Sequence, residues 1–433
     1  MILTSALIDF QMKSSVYLCH RYHPSFRTTA PVFVFLVCPS FWSECMSLSR
    51  KLFDRYESVA LQSVTSRRFN QAQMLSWLRP ILDRGDVESV SAGVSAEGRT
   101  IPLITVGKGP TSVLLWSQMH GDETTATMAL LDILNFFSLQ PHDPLVSSIK
   151  SSLSILMIPM LNPDGAERFQ RRTSQHIDMN RDALRLQTPE AQILRRIQAE
   201  QKPHFAFNLH DQDARYTVGQ STAVTAIALS APPVDALRSN PEVRIRAKHL
   251  AVVLFEALTE FIPGHIARYD DSFEPRAFGD NFQRWGTSTV LVESGGWRND
   301  PEKNFLRKLN FVGLLCALHT IAMNTVLETD LSVYESIPFN GKNLYDVILR
   351  NVLFTAGNGI HPTLLDIGLN LTEETDQGTG KRGTFAAVVD LGDLGTMGAF
   401  EEFECSGIAL DAGTIDIDKR FSRLELLRLI GKQ

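Results

Sequence analysis

The spacing of apolar residues divides the chain into stretches of helical period and stretches of strand period. From residue 70 to residue 83 the apolar positions recur every three or four residues, and Gly85 ends the stretch. This spacing predicts an amphipathic helix. Residues 87–94 and 101–106 alternate apolar and polar side chains on either side of a turn at 96–99, which predicts a β-hairpin.

From Ser112 onward, short apolar runs of strand length alternate with longer stretches of helical period. Strands are predicted near residues 112–117, 153–159, 204–210, 223–230 and 287–293, and helices near residues 124–138, 189–200, 243–261 and 302–326. Alternating strands and helices are typical of α/β domains. We therefore predict a mixed, mostly parallel sheet flanked by helices, with functional side chains at the strand ends.

The two ends of the chain differ from this middle part. Residues 1–45 hold three of the five cysteines and one short apolar run, but they lack the basic start and the small-residue cleavage site of a signal peptide. We expect this extension to be disordered or to reflect a mis-assigned start; an untypical targeting segment is the alternative. Residues 340–415 are rich in glycine and in short apolar runs. They predict a small β-rich domain at 329–433, after an α/β domain at 46–328.

Composition and charge narrow the classes of protein. The 433 residues are 44% apolar and 21% charged, with a net charge of -6, so nothing indicates a nucleic-acid partner, which basic patches would signal. No run approaches the roughly 18 consecutive apolar residues of a membrane span, and none is expected. The five cysteines show no C-x-x-C spacing, which argues against a zinc knuckle or a redox pair. This pattern fits a reducing compartment, so we expect a cytoplasmic location.

Two histidines and a glutamate stand at or just beyond the ends of predicted strands. His120 follows the apolar run 112–117, and Glu123 comes three residues later, in the first turn of the next predicted helix. His210 ends another predicted strand, at 204–210. Two histidines and one glutamate around an open fourth position form the ligand set of a catalytic zinc site. We therefore take His120, Glu123 and His210 as candidate ligands of one zinc ion.

These residues belong to a series of ordered motifs. The series runs His120-x-x-Glu123, Asn162-Pro-Asp-Gly165, Asp178-Met-Asn180-Arg181, His210 and Val292-Glu293-Ser294. In this order the motifs resemble those of the M14 zinc carboxypeptidases, over roughly residues 85–325. The resemblance implies a zinc carboxypeptidase-like α/β fold, one zinc ion per chain, and hydrolysis of a C-terminal peptide or amide bond.

The resemblance also implies roles for two carboxylates near the zinc. Glu293 matches the general base that takes a proton from water and passes it to the leaving amine. A charged side chain at the end of an apolar strand is costly unless it is used or paired, so the alternative is an ion pair with an arginine. Asp178 matches the carboxylate that accepts the second ring N–H of His120 and fixes its tautomer. A capping or turn role is the alternative for Asp178.

Arginines between 171 and 181 match the residues that hold the substrate in the family. In the resemblance, Arg172 stabilises the oxyanion together with zinc, and Arg171 takes this role if the alignment shifts by one. Asn180 and Arg181 match the pair that grips the terminal carboxylate, because a planar guanidinium pairs bidentately with a carboxylate. Tyr269 matches the mobile tyrosine of the family's site.

The predicted function is thus that of a zinc-dependent metallocarboxypeptidase, whose partners are peptides or amino-acid conjugates with a free carboxylate. The nearest alternative is a zinc amidohydrolase on the same scaffold, which would deacylate N-acyl amino acids or trim cell-wall peptides. Asn180 and Arg181 would serve there too, because those substrates also carry a carboxylate. A non-catalytic binding protein with the same fold is a third hypothesis, which the complete ligand set and Glu293 disfavour.

Overall fold

The structure is a computed structural model that describes residues 39–375, 382–417 and 419–431. Our expectations for residues 1–38 therefore lie outside the described part of the chain. Helix α1 begins at Pro39, inside the extension predicted at 1–45.

Long helices occupy the positions that the apolar period predicts. Within the described residues the α-helices are α1 (Pro39–Arg55), α2 (Gln71–Leu82), α3 (Thr125–Leu139), α4 (Pro144–Ser152), α5 (Pro163–Arg168), α6 (Pro189–Gln201), α7 (Glu242–Thr259), α8 (Phe278–Arg284), α9 (Asn304–Ala322), α10 (Leu331–Ser336) and α11 (Arg423–Leu429). Short 3₁₀ helices lie at Tyr56–Ser58, Met179–Arg181 and Val326–Glu328. The predictions for α2, α3, α6, α7 and α9 are confirmed, whereas the short helices α4, α5 and α8 were not predicted.

The strands also lie close to their predicted positions in the first part of the chain. They are β1 (Glu88–Val94), β2 (Thr100–Val106), β3 (Thr111–Ser117), β4 (Leu153–Ile158), β5 (Phe205–Asp211), β6 (Thr217–Val218), β7 (Ile227–Ser230), β8 (Ile266–Arg268), β9 (Ser288–Ser294), β10 (Asn340–Gly341), β11 (Leu344–Thr355), β12 (Thr363–Thr375), β13 (Arg382–Gly392), β14 (Gly398–Glu404), β15 (Ala409–Asp411) and β16 (Arg420–Ser422). Strand β7 covers only the second half of the run predicted near 223–230.

A mixed sheet forms the centre of the fold. Within the described residues its strand order is β1-β2-β4-β3-β5-β9-β7-β8. The strands β4, β3, β5 and β9 pair in parallel, and antiparallel pairs join β1 to β2, β2 to β4 and β7 to β9. The predicted fold class, a mixed and mostly parallel sheet flanked by helices, is confirmed in its architecture.

Both faces of this sheet are covered by helices. Val113 and Leu115 of β3 lie in a core shared with α3, α7 and α9, whereas Leu114 and Trp116 lie in a second core shared with α6 and α8. Successive side chains of a strand point to opposite faces, so a strand that is covered on both sides must be apolar at every position. This is why β3 is apolar at residues 113–116, and the first candidate ligand, His120, follows beyond its end.

Helix α9 is both long and apolar. It is long and apolar enough to cross a membrane by length and composition, with a mean hydropathy of 1.3, but 78% of that window is buried inside the protein. Its neighbours include α3 and α7. Its apolar surface is therefore used in the core beside the central sheet.

The C-terminal strands form a separate sheet. Its order among the described residues is β14-β11-β12-β13-β16, and β15 also pairs with β11. Side chains such as Leu349, Ile367 and Val388 form a core of its own. The predicted β-rich part of the chain is confirmed, while the domain boundary at 328/329 stays a prediction. A two-stranded pair of β6 and β10 lies outside both sheets.

Candidate active site

Close backbone packing holds the loop that leads from β3 to His120. A Cβ at Gly121 would lie 2.1 Å from the carbonyl carbon of Gly165, so no side chain fits where the two segments cross. Asn162 supports the same loop, because its Nδ2 donates a hydrogen bond to the carbonyl oxygen of Met119 at 3.3 Å. The Asn-Pro-Asp-Gly motif thus fixes the direction in which the His120 loop leaves the sheet.

Three buried side chains, those of His120, Glu123 and His210, face one point. Nδ1 of His120 lies 2.7 Å from Oε1 of Glu123, and Nδ1 of His210 lies 2.6 Å from Oε2 of Glu123. The two Nδ1 atoms are 3.2 Å apart, and all the ligand atoms lie within 4.8 Å of one another. Two imidazole nitrogens and one carboxylate form a donor set that zinc takes in catalytic sites. The three side chains therefore fit a zinc ion.

Asp178 lies behind His120. Nε2 of His120 is 3.1 Å from Oδ1 of Asp178, and Nε of Arg171 donates to Oδ2 at 3.1 Å. Although burial opposes ionisation, hydrogen bonds and charge from His120 and Arg171 hold the pKa of Asp178 well below its usual range. A carboxylate on the far ring nitrogen orients the imidazole and leaves Nδ1 facing Glu123.

Glu293 stands next to His210 because of strand register. In the parallel pair of β5 and β9, Glu293 is the partner of His210. Its Oε2 is buried, and within the described residues it has no hydrogen-bond partner. Burial raises the pKa of Glu293 well above its usual range, and the nearby charges of Glu123 and Asp211 add to this effect. A buried carboxyl group with a raised pKa beside a candidate metal site suits proton transfer.

The two adjacent arginines point in different directions. Nη1 of Arg171 lies 3.1 Å from Nδ1 of His120 and donates to Oε1 of Glu123 at 3.2 Å. Arg172 instead donates from Nη1 to the carbonyl oxygen of His176 at 3.0 Å. Of the two, Arg171 contacts the candidate ligand set and borders the cleft, whereas Arg172 does not line it. The oxyanion role, which the resemblance gives to Arg172 or, after a shift of one, to Arg171, stays a prediction.

Asn180 and Arg181 lie on the 3₁₀ helix Met179–Arg181, which also borders the site. Oδ1 of Asn180 accepts a hydrogen bond from the backbone N–H of Phe278 at 2.9 Å, and Nη1 of Arg181 donates to the carbonyl oxygen of Asn180 at 2.8 Å. Nε of Arg181 lies 3.3 Å from Oε2 of Glu274. Both side chains border the same cleft as the ligand set.

One cleft brings nearly all the predicted site residues together. It has a volume of about 880 Å³ and is lined by the predicted residues His120, Glu123, Asn180, Arg181, His210, Tyr269 and Glu293, together with Arg171. Burial raises the pKa of Tyr269 above its usual range, so its hydroxyl stays protonated and remains a hydrogen-bond donor. Asp178 does not border the cleft and supports it through His120.

The cleft also has residues that sequence reasoning missed. Asn208 lies two positions before His210 and thus on the same face of β5, so the period of two would have identified it. Phe339, Asn340 and Lys342 border the cleft as well. They come from the beginning of the predicted C-terminal part, and no motif in that segment indicates a functional site.

The fold and the site together define a class of protein. The carboxyl ends of β3, β5 and β9 carry, or lead directly to, a His-Glu-His group and a buried glutamate, in a cleft with arginines around it. This is the arrangement of a candidate metal-dependent hydrolase. Residues 74–213 match the family model described as zinc carboxypeptidase, Peptidase_M14. This part of the chain is therefore similar to the zinc carboxypeptidases.

Individual relatives match shorter stretches. Probable carboxypeptidase 2 of Trichophyton verrucosum is 28% identical over 135 residues, which cover 29% of this chain and 26% of that protein. Carboxypeptidase M of Mus musculus is 32% identical over 89 residues, 19% of this chain and 20% of that protein. The chain thus aligns with about a quarter or less of the length of these relatives.

A solved structure was also found to be similar. A metallo-carboxypeptidase from Burkholderia cenocepacia superposes with a TM-score of 0.47 and 15% sequence identity, over 59% of this chain and 70% of that chain.

Proposed function

We propose that the protein is a zinc-dependent carboxypeptidase that hydrolyses the C-terminal peptide or amide bond of substrates with a free carboxylate. The observation that carries this proposal is the convergence of His120, Glu123 and His210 next to Glu293, the strand partner of His210. The match of residues 74–213 to the zinc carboxypeptidase family model supports the same reaction class.

In the proposed site, His120, Glu123 and His210 hold the zinc ion, and Asp178 orients His120. When bound, zinc supplies Lewis acidity, which polarises a carbonyl group and lowers the pKa of water toward about 7. Glu293 takes a proton from the attacking water and passes it to the nitrogen of the leaving amine as the carbon–nitrogen bond breaks. The raised pKa of Glu293 strengthens its carboxylate as a proton acceptor, and the carboxyl group holds the proton until the leaving amine takes it.

Charged side chains bind two oxygen groups of the substrate, the carbonyl of the scissile bond and the terminal carboxylate. Arg171, next to the ligand set, stabilises the negative charge that develops on the carbonyl oxygen. Arg181 pairs with the terminal carboxylate, and Nδ2 of Asn180 adds a neutral donor. Tyr269 contributes a protonated hydroxyl to the same cleft.

The test combines zinc analysis with three substrates: a peptide with a free C-terminus, its amidated twin, and an N-acyl amino acid. We expect one zinc per chain and a kcat/KM for the free acid that exceeds that for the amide by roughly ten- to 100-fold, the scale of a hydrogen bond to a charged group, with solvent screening at the partly exposed Arg181. The matched variant Glu293→Gln should keep zinc and lose roughly 100-fold in turnover. Equal cleavage of acid and amide would overturn the carboxypeptidase assignment, and faster hydrolysis of the N-acyl amino acid would favour an amidohydrolase.

A further inference from the structure

The C-terminal part of the chain supplies one wall of the cleft. Phe339, Asn340 and Lys342 border the same cleft as the ligand set, although they follow the matched family segment 74–213 by more than a hundred residues. We call the segment Phe339–Lys342 the C-terminal wall. Its position in the cleft means that the C-terminal part contributes to the surface that a substrate meets.

Backbone contacts fix the C-terminal wall in place. Strand β10 pairs antiparallel with β6, and Gly219 donates its N–H to the carbonyl oxygen of Phe339 at 2.8 Å. A Cβ at Gly341 would lie 1.8 Å from the carbonyl oxygen of Gly219, so only glycine allows this approach. Nδ2 of Asn340 donates to Oε1 of Gln212 at 2.6 Å. The wall is therefore attached to the segment that directly follows His210.

The C-terminal wall is distinct from the carboxylate clamp formed by Asn180 and Arg181. Its hydrogen bonds within the described residues go to Gln212 and to the β6 region, and the chain just before it bonds to Arg268 through the carbonyl oxygen of Pro338 at 2.7 Å. The wall can therefore contact another side chain of a substrate while the clamp holds its terminal carboxylate.

The cations that border the cleft differ in whether a carboxylate lies close to them. Each arginine that borders the cleft lies close to a carboxylate: Arg171 to Glu123 at 3.2 Å, Arg181 to Glu274 at 3.3 Å, and Arg238 to Asp271 at 3.1 Å. The remaining cation is Lys342, and no carboxylate of the described residues lies within ion-pair distance of it. Its Nζ lies 6.0 Å from the ring centre of Tyr216, another residue of the cleft.

The C-terminal wall also carries an aromatic side chain, that of Phe339. Phe339 is 41% exposed, and the guanidinium of Arg268 covers its ring at 4.0 Å from the ring centre. Nη1 of Arg268 is itself paired with Glu335 at 2.6 Å. The wall therefore presents apolar ring surface and one uncompensated positive charge to the cleft.

We infer that Lys342 binds a side-chain carboxylate of the substrate, at a residue that precedes the scissile bond, so that acidic peptides are the preferred substrates. This inference rests on the proposed carboxypeptidase function and names its substrate class. The terminal carboxylate and the acidic side chain occupy different cations, Arg181 and Lys342, in one cleft.

The test uses zinc-loaded, full-length protein and pairs of peptides with a blocked N-terminus and a free C-terminus. The two peptides of a pair differ only in Glu against Gln at one of the three residues before the scissile bond. At one of these positions we expect the Glu peptide to have a kcat/KM about two- to fivefold higher, which is the range of an exposed ion pair. The ratio should fall toward one in high salt. Lys342→Met should bring the ratio to about one, and Lys342→Glu should reverse it. Lys51→Met, on the exposed surface of α1, is the matched control and should keep the wild-type ratio.

Absence of a Glu preference at all three positions, or a preference that survives in Lys342→Met, would overturn the inference. A second measurement separates this outcome from failure of the proposed function. If the wild-type protein cleaves none of the peptides, the proposed function fails. Binding of fluorescently labelled Glu and Gln peptides to Glu293→Gln would then still decide the role of Lys342, since the affinity ratio must depend on that residue.

Discussion

Two neighbouring arginines provide a test of the site, because the side chain of Arg171 contacts the candidate ligand set and that of Arg172 points away from it. Arg171 contacts Glu123 and lies in the cleft, whereas the hydrogen bond of the Arg172 side chain within the described residues goes to the backbone carbonyl of His176. We therefore predict that Arg171→Ala loses activity and that Arg172→Ala does not. The two variants remove the same side chain, one position apart, from the same loop.

The expected loss follows from what Arg171 does in the proposed reaction. Removing one donor that stabilises a developing oxyanion typically lowers turnover by about 10²–10³-fold. The side chain of Arg171 is 45% exposed, so solvent screens part of its charge, and the lower end, roughly 10²-fold, is expected. Arg172 has no such contact, and an exposed substitution of this kind changes free energies by no more than about 0.5 kcal/mol, or roughly twofold in rate.

The assay is kcat/KM on a peptide with a free C-terminus, with zinc content measured on the same samples. Zinc content matters because Arg171 also contacts Glu123, so a metal-poor variant would lose activity for another reason. Arg171→Lys should lie between Arg171→Ala and wild type, since it keeps the charge and loses the planar fork. A larger loss in Arg172→Ala than in Arg171→Ala would refute the assignment.

Four further predictions concern metal binding, packing and titration. His210→Ala should contain no zinc by elemental analysis, because one of the three ligands is lost. It should stay folded, because the substitution changes only one side chain of the site. Gly121→Ala should inactivate the protein, because its Cβ would lie 2.1 Å from Gly165; full activity in a folded variant would contradict this. Asp132→Ala should lower the free energy of unfolding by about 3–5 kcal/mol in urea titrations, because it leaves buried Arg307 without the carboxylate at 2.6 Å. Burial raises the pKa of Asp280 from 3.8 to about 7, so the free energy of unfolding of the wild type falls as the pH rises through this range. The free energy of unfolding of Asp280→Asn should rise relative to that of the wild type over the same range, by at most about 4 kcal/mol. An equal difference between the two proteins at pH 4 and at pH 8 would rule this out.

Sequence reasoning succeeded where local pattern and chemistry coincide. The central strands β3 and β5 are buried on both faces, so each contains a short apolar run, at residues 113–116 and 205–207. His120 and His210 stand out because each follows or ends such a run. The ligand triad could therefore be proposed before any three-dimensional information, and the structure brings its three members together.

Features that depend on long-range placement could not be obtained in this way. The side chains of Arg171 and Arg172 point in different directions because of the loop conformation, for which the sequence has no periodic signal. The short helix α8 supplies the backbone N–H of Phe278 that binds Asn180, and its seven residues are too few for a helical period to be recognised. The C-terminal wall reaches the cleft only because β10 pairs with β6. Such pairing between distant segments cannot be read from either segment alone.

The register of β5 against β9 has a consequence for how the protein would lose activity. His210 and Glu293 are adjacent because backbone hydrogen bonds in the middle of the sheet align them, and separating them requires opening that part of the sheet. Their amide hydrogens should exchange with solvent only through global unfolding, whereas the turn that carries Asn180 and Arg181 can open locally. Mild denaturant should therefore weaken substrate binding first, while His210 and Glu293 remain adjacent until this part of the sheet unfolds.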